Sequence, residues 1–126
     1  MKGFCGEFEK RQKLEIEFRS HDLPSPLPPD LSLSLFRVLQ QALINSAAHS
    51  GARNSEVELF GTTDAIHLTV RDSGIGFDPE AAMKGTGLGL VSMRERMKLV
   101  NGTFSIDSNA RHGTTIHASV PLPPRR

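Results

Sequence analysis

Two glycine-containing segments carry the residue types and spacing in this chain that best suit chemistry on a bound anion. DSGIGF occupies residues 72–77 and GTGLGL occupies residues 85–90. Glycines let backbone N–H groups approach phosphate oxygens, and a following helix N-terminus adds partial positive charge. Neither the dinucleotide-binding G-x-G-x-x-G unit nor the P-loop G-x-x-x-x-G-K-[ST] is present. The pattern favours a phosphate site of a different class.

Asp72 closes a row of aliphatic residues on one face of a predicted strand. Ile66, Leu68 and Val70 precede it at every second position, and residues two apart share a face. A buried carboxylate needs a partner. Two interpretations follow: Asp72 caps the turn after the strand, which the residue taken alone favours, or it lies on the floor of a binding pocket.

Thr114 has the same relation to the last predicted strand. Ile116, Ala118 and Val120 are expected to face the core, so Thr114 faces it as well. An aspartate with a threonine and a water molecule beside it suits the amino edge of adenine. The alternative is that Thr114 is an ordinary strand-forming residue after the turn at Gly113.

A polar edge is predicted along the first long helix. Gln41, Asn45 and His49 recur at four-residue intervals and lie beside an apolar stripe. An ordinary solvated flank is the alternative for each of them, but three in line opposite a glycine segment favour a site. The stripe itself comprises Leu35, Leu39, Ala42 and Leu43.

The elements that must position these residues follow from periodicity and from the placement of glycine and proline. The predicted strands are 13–19, 55–60, 65–72, 103–108 and 114–120, and the predicted helices are 31–50 and 88–100. This order predicts an α+β two-layer sandwich, with a mixed, mostly antiparallel sheet and the helices on one face. Residues 1–12 are expected to be a junction or the tail of a missing upstream helix, 13–122 the domain, and 123–126 a C-terminal tail.

Composition narrows the class of protein. The formal net charge is only +1. This balance argues against a nucleic-acid-binding protein, which would show a concentrated basic patch. No apolar stretch reaches the ~18 residues of a membrane span, and a signal peptide is not evident. The single cysteine, Cys5, fits a reducing compartment. We expect one cytoplasmic domain whose own segment makes no membrane contact.

Four segments together resemble the conserved boxes of histidine kinases. LFRVLQQALINSAAHSGA is similar to the N box, VRDSGIGFDPE to the G1 box and GTGLGLVSMRERMKLVNGTFSI to the G2 box; HGTTIHASVPL is similar to the closing glycine–threonine strand. The resemblance covers about residues 14–122 and implies the Bergerat-type ATP-binding fold of the gyrase, Hsp90, histidine kinase and MutL superfamily. GLGLVSMRERM and the short lid of 78–86 most resemble sensor kinases of the nitrate-sensor type.

The resemblance implies a role for each candidate residue. Asp72 would accept a hydrogen bond from the adenine amino group, and Thr114 would join the water network beside it. Asn45 would ligate Mg²⁺ at the phosphates of ATP or ADP, and His49 would lie near those phosphates. The other implied nucleotide contacts are Gly74, Gly76, Lys84, Gly85, Thr86, Gly87, Leu88 and Gly89.

Two positions depart from the family pattern. Gln41 stands where these kinases usually have a glutamate that orients metal-bound water or acts as a base, and a neutral amide cannot take that proton. Ala48 stands where a lysine is frequent, and Lys84 is a candidate to replace that charge. Gln41 is therefore a doubtful catalytic residue, and the departures affect the expected rate more than the expected fold.

The resemblance implies transfer of the ATP γ-phosphate to a histidine on a separate helical dimerisation domain. None of the five histidines here lies in a segment resembling such a helix. We expect a monomeric catalytic domain cut from a longer kinase, with a helix-turn-helix response regulator downstream. A natural stand-alone ATPase domain, a degenerate nucleotide-binding regulator and a serine kinase of the anti-sigma type are the alternatives.

Overall fold

The computed structural model describes residues 1–12, 15–24, 27–49, 54–72, 89–109 and 113–122. Eight elements are present in these ranges. In chain order they are α1 (Lys2–Gln12), β1 (Glu15–His21), α2 (Pro29–His49), β2 (Asn54–Gly61), β3 (Ala65–Asp72), α3 (Leu90–Leu99), β4 (Thr103–Asn109) and β5 (Gly113–Pro121).

The five strands form one mixed sheet in the order β1-β2-β3-β5-β4. β1 pairs with β2 in parallel, and every other neighbouring pair is antiparallel. A parallel pair needs a crossover connection, and α2 supplies it between β1 and β2. α2 packs on β3 and β5, and α3 packs on β4 and β5. The α+β class and the mostly antiparallel sheet are thus confirmed.

The core lies between the sheet and helices α2 and α3. Along β3, burial alternates strictly, with Ile66, Leu68 and Val70 at most 2% exposed. Burying each aliphatic side chain of this size contributes about 1.5–3 kcal/mol. All four residues of the predicted α2 stripe are buried as well, namely Leu35, Leu39, Ala42 and Leu43. The same alternation along β3 places Asp72 on the helix-facing side of the sheet.

Helix α3 is two residues shorter at its start than predicted and one residue shorter at its end. Leu90, Met93 and Met97 are buried, whereas Val100 is half-buried, after the helix has ended. Asn101 takes a left-handed φ of 58°, and the Gly102 N–H donates to the Met97 carbonyl at 2.7 Å. These contacts satisfy carbonyls that the helix end would leave unpaired.

Residues 2–12 form helix α1, which contributes to the same core. Cys5 and Phe8 are buried, and Phe4 packs edge-to-face on Phe36 of α2 with centroids 5.3 Å apart. Burial raises the pKa of the Cys5 thiol to about 11. The boundary that we predicted at residue 12 stays a prediction. No helix within the described ranges is long and apolar enough to cross a membrane.

Candidate nucleotide site

Asp72 lies at the end of β3 and is 7% exposed. Its Oδ2 accepts a hydrogen bond from the Ser46 hydroxyl of α2 at 2.8 Å. Its Oδ1 accepts one from the Thr114 backbone N–H of β5 at 3.3 Å. The carboxylate is therefore held between α2 and the sheet.

Thr114 is the direct cross-strand partner of Asp72 and is 4% exposed. Its hydroxyl shares a 2.8 Å hydrogen bond with the Ser108 hydroxyl of β4. Strand alternation alone predicted that Asp72 and Thr114 face the same way, and the structure brings them together. The result is a cluster of one carboxylate and several hydroxyls at one edge of an apolar core.

Ser46 and Ser108 are members of this cluster that sequence reasoning missed. Ser46 lies three residues after Leu43 and four after Ala42, which places it on the core stripe of α2. A serine within an apolar stripe signals a buried hydroxyl that needs a partner. That signal was available for Ser46, whereas the Ser108 contact depends on how β4 registers with β5.

The polar edge of α2 adjoins this cluster. Asn45, which precedes Ser46, is 5% exposed, and its Oδ1 accepts a hydrogen bond from the Gln41 Nε2 at 3.1 Å. Gln41 itself is half-buried. These two residues are therefore not part of an ordinary solvated flank. The side chain of His49, predicted on the same edge, lies outside the described part of the chain.

Gly89 joins the second glycine segment to this edge. It is the N-cap of α3 with a left-handed φ of 67°, and a Cβ there would lie 3.0 Å from Cδ of Gln41. The N-terminus of α3, with its partial positive charge, thus approaches α2 at Gln41. The other predicted contacts lie outside the described residues, and their roles stay predictions: Gly74, Gly76, Lys84, Gly85, Thr86, Gly87 and Leu88.

The two ends of this site suit different parts of one ligand. The Asp72 carboxylate is an acceptor for an amino group, whereas Asn45 and the N-terminus of α3 suit phosphate and a hard cation. Among the described residues, no group of three or more His, Cys, Asp or Glu side chains is placed to hold a metal ion. Asn45 nonetheless fits Mg²⁺, which uses few protein oxygens when substrate phosphates complete its shell.

Solved structures share this architecture. The chain superposes on the ATP-binding domain of PrrB from Mycobacterium tuberculosis with a TM-score of 0.71 at 20% identity, covering 95% of this chain and 89% of that one. For the Acinetobacter baumannii histidine kinase AdeS the TM-score is 0.75 at 19% identity, covering 98% and 61%. At such identities the likeness establishes the fold.

Family membership follows from the sequence match. Residues 30–124 match the family of histidine kinase-, DNA gyrase B- and HSP90-like ATPases, so the chain belongs to that family. It is 33% identical to the oxygen sensor histidine kinase NreB of Staphylococcus carnosus (strain TM300) over 121 residues, 96% of this chain and 35% of that protein. It is 34% identical to the signal transduction histidine-protein kinase/phosphatase DegS of Bacillus subtilis (strain 168) over 118 residues, 92% and 31% respectively. The chain spans about a third of the length of these relatives.

Proposed function

We propose that this chain is the ATP-binding catalytic domain of a two-component sensor histidine kinase. It binds ATP or ADP with Mg²⁺ and transfers the γ-phosphate to a histidine on a separate dimerisation domain. The observation that carries the proposal is the Asp72 carboxylate, held under α2 by Ser46 and Thr114. Asn45 directly precedes Ser46 on α2, so the same helix contributes to the proposed adenine end and to the proposed phosphate end of the site.

In this proposal Asp72 accepts from the 6-amino group of adenine. An ionised carboxylate only accepts hydrogen bonds, which suits an amino group that donates them. The Asn45 amide oxygen would hold Mg²⁺, which would supply positive charge that offsets the charge of the phosphates. The N–H groups at the start of α3 after Gly89 bind and orient the phosphate oxygens.

The proposal extends to partners and location. A kinase of this kind phosphorylates a histidine on its dimerisation domain and passes the phosphoryl group to a response regulator, here of the helix-turn-helix type. Both the relatives NreB and DegS are histidine kinases by name. The catalytic domain works in the cytoplasm and is monomeric on its own.

A second candidate function is a regulatory domain that binds nucleotide without efficient phosphotransfer. Gln41 favours it, because its amide donates to Asn45 Oδ1, the atom proposed to ligate the metal. A glutamate at this position could not donate that hydrogen bond. The two candidates share the nucleotide site and differ in the rate of phosphotransfer.

Phosphotransfer to a supplied domain separates the two candidates. The purified chain is mixed with a phosphoacceptor domain from a related kinase, Mg²⁺ and γ-labelled ATP, and label on the acceptor is followed over time. We expect label that depends on the chain and is lost when the acceptor histidine is replaced by glutamine. Nucleotide binding without any transferred label would favour the regulatory candidate.

A further inference from the structure

We propose that Ser46 is a positioning residue that sets the preference of the site for a base with a 6-amino group. It acts by fixing the orientation of the Asp72 carboxylate. The inference rests on the proposed function, because it assumes that Asp72 meets adenine. It goes further in assigning base selectivity to a hydroxyl on α2.

The position of Ser46 makes its hydroxyl part of the site. The helical period places Ser46 on the buried stripe of α2, where it is 2% exposed. Its Oγ donates to Asp72 Oδ2 at 2.8 Å, the usual length of a well-formed hydroxyl–oxygen hydrogen bond. Because Ser46 lies within helix α2, its hydroxyl is presented by a rigid element.

The two carboxylate oxygens are held from two different sides. Ser46 of α2 binds Oδ2, while the backbone N–H of Thr114 on β5 binds Oδ1. The terminal torsion of an aspartate is broad and only weakly restricted by itself. Two donors on separate elements restrict that torsion, so the plane of the carboxylate is set before a ligand arrives. A preorganised acceptor of this kind loses less conformational entropy when a ligand binds than a mobile acceptor does.

A purely structural role for Ser46 makes a different prediction. If the hydroxyl only satisfies a buried acceptor, its removal lowers the stability of the fold and weakens the binding of all nucleotides equally. If it positions Asp72, its removal acts on the base contact and spares nucleotides that lack the amino group. The ratio of two affinities therefore distinguishes the roles.

The test compares ATP with purine riboside triphosphate, which lacks the 6-amino group, by calorimetry on the whole chain. The wild-type protein is expected to prefer ATP, and Ser46→Ala is expected to reduce that preference about tenfold, with little change for the analogue. Ser46→Thr, which keeps a hydroxyl, should restore the preference. Ser46→Cys, which keeps the size but donates weakly, should lose it and decides the matter if Ser46→Ala does not fold.

Ser55→Ala is the matched control. Ser55 is also buried and is the β2 partner of Asp72, but its hydroxyl donates to the Arg71 carbonyl at 3.0 Å. This variant removes a buried hydroxyl beside Asp72 without removing a donor to the carboxylate, so it should keep the wild-type preference.

The possible failures are distinguishable. A wild-type protein that does not discriminate ATP from the analogue contradicts the proposed adenine contact itself. A wild-type preference that persists in full in Ser46→Ala and Ser46→Cys overturns the role of Ser46 alone. An equal loss in Ser55→Ala also overturns it, because the effect would then follow from any buried hydroxyl.

Discussion

The Gln41 side-chain amide donates a hydrogen bond to the Asn45 amide oxygen at 3.1 Å, one turn further along α2. Histidine kinases usually carry glutamate at the first of these positions, and a carboxylate reverses the polarity of the contact. It would accept from the Asn45 amide nitrogen and leave the oxygen for a cation. The contact therefore links a single substitution to the proposed metal ligand, Asn45.

Gln41→Glu should raise the rate of phosphotransfer to a supplied acceptor domain by at least about tenfold, since a general acid or base typically contributes about 10²–10⁴-fold. The carboxylate supplies a proton acceptor and adds negative charge beside the proposed Mg²⁺. Initial rates with labelled ATP measure the effect. Gln40→Glu is the control, because Gln40 is bonded to Arg37 rather than to Asn45. An unchanged rate would mean that Gln41 does not limit this protein.

Asp72→Asn should abolish the preference for adenine and weaken ATP binding about 10- to 100-fold, as loss of a hydrogen bond to a charged group implies. The substituted amide presents a donor where the adenine amino group also donates. Competition between ATP and GTP measures the preference. Asp107→Asn, on the exposed face of β4, should bind ATP as the wild type does. Unchanged ATP affinity in Asp72→Asn would remove this residue from its proposed role.

Gly89→Ala should destabilise the fold by about 1–3 kcal/mol and weaken nucleotide binding. The residue has a φ of 67°, and an added Cβ would contact the Gln41 side chain. Urea unfolding and calorimetry measure the two effects. Gly6→Ala in α1 has open space around the new Cβ and should instead stabilise by up to about 1 kcal/mol. Equal stability of the two variants would contradict the close packing of Gly89 on α2.

Two histidines on the outer face of the sheet should give opposite pH effects on stability. Desolvation by burial lowers the pKa of His117 from its usual 6.5, and the nearby His67 lowers it further. The unfolded chain then binds this proton more readily, so stability falls as pH falls through about 6.5. The hydrogen bond between the His21 ring and Asp22 raises the pKa of His21, and the hydrogen bond to Glu58 raises it further. The contribution of His21 to stability therefore grows as pH falls.

Urea midpoints between pH 7.5 and 5 test these signs. His117→Gln should flatten the loss of stability on acidification, and His21→Gln should steepen it. The wild-type protein at each pH is the reference. Parallel pH profiles for the two variants would contradict the opposite shifts.

Local periodicity predicted the parts of the site that depend on one element. The alternation along β3 and β5 placed Asp72 and Thr114 on the same face, and the helical period placed the α2 stripe. Contacts between distant segments were not predictable in the same way. Gly89 meets Gln41 only because α3 packs beside α2, and the Ser108 hydroxyl reaches Thr114 only through strand register. The burial of Cys5 and Phe8 was also missed, since the mixed polar sequence of residues 1–12 shows little periodicity.

Nucleotide titration of the purified chain, with and without Mg²⁺, tests the central claim most directly. We expect calorimetry to show ATP and ADP binding at one site per chain, with ATP affinity reduced when EDTA replaces Mg²⁺. Asn45→Ala should lose that dependence on the metal, because it removes the proposed ligand. No binding of either nucleotide at millimolar concentration, in a chain shown to be folded, would contradict the account.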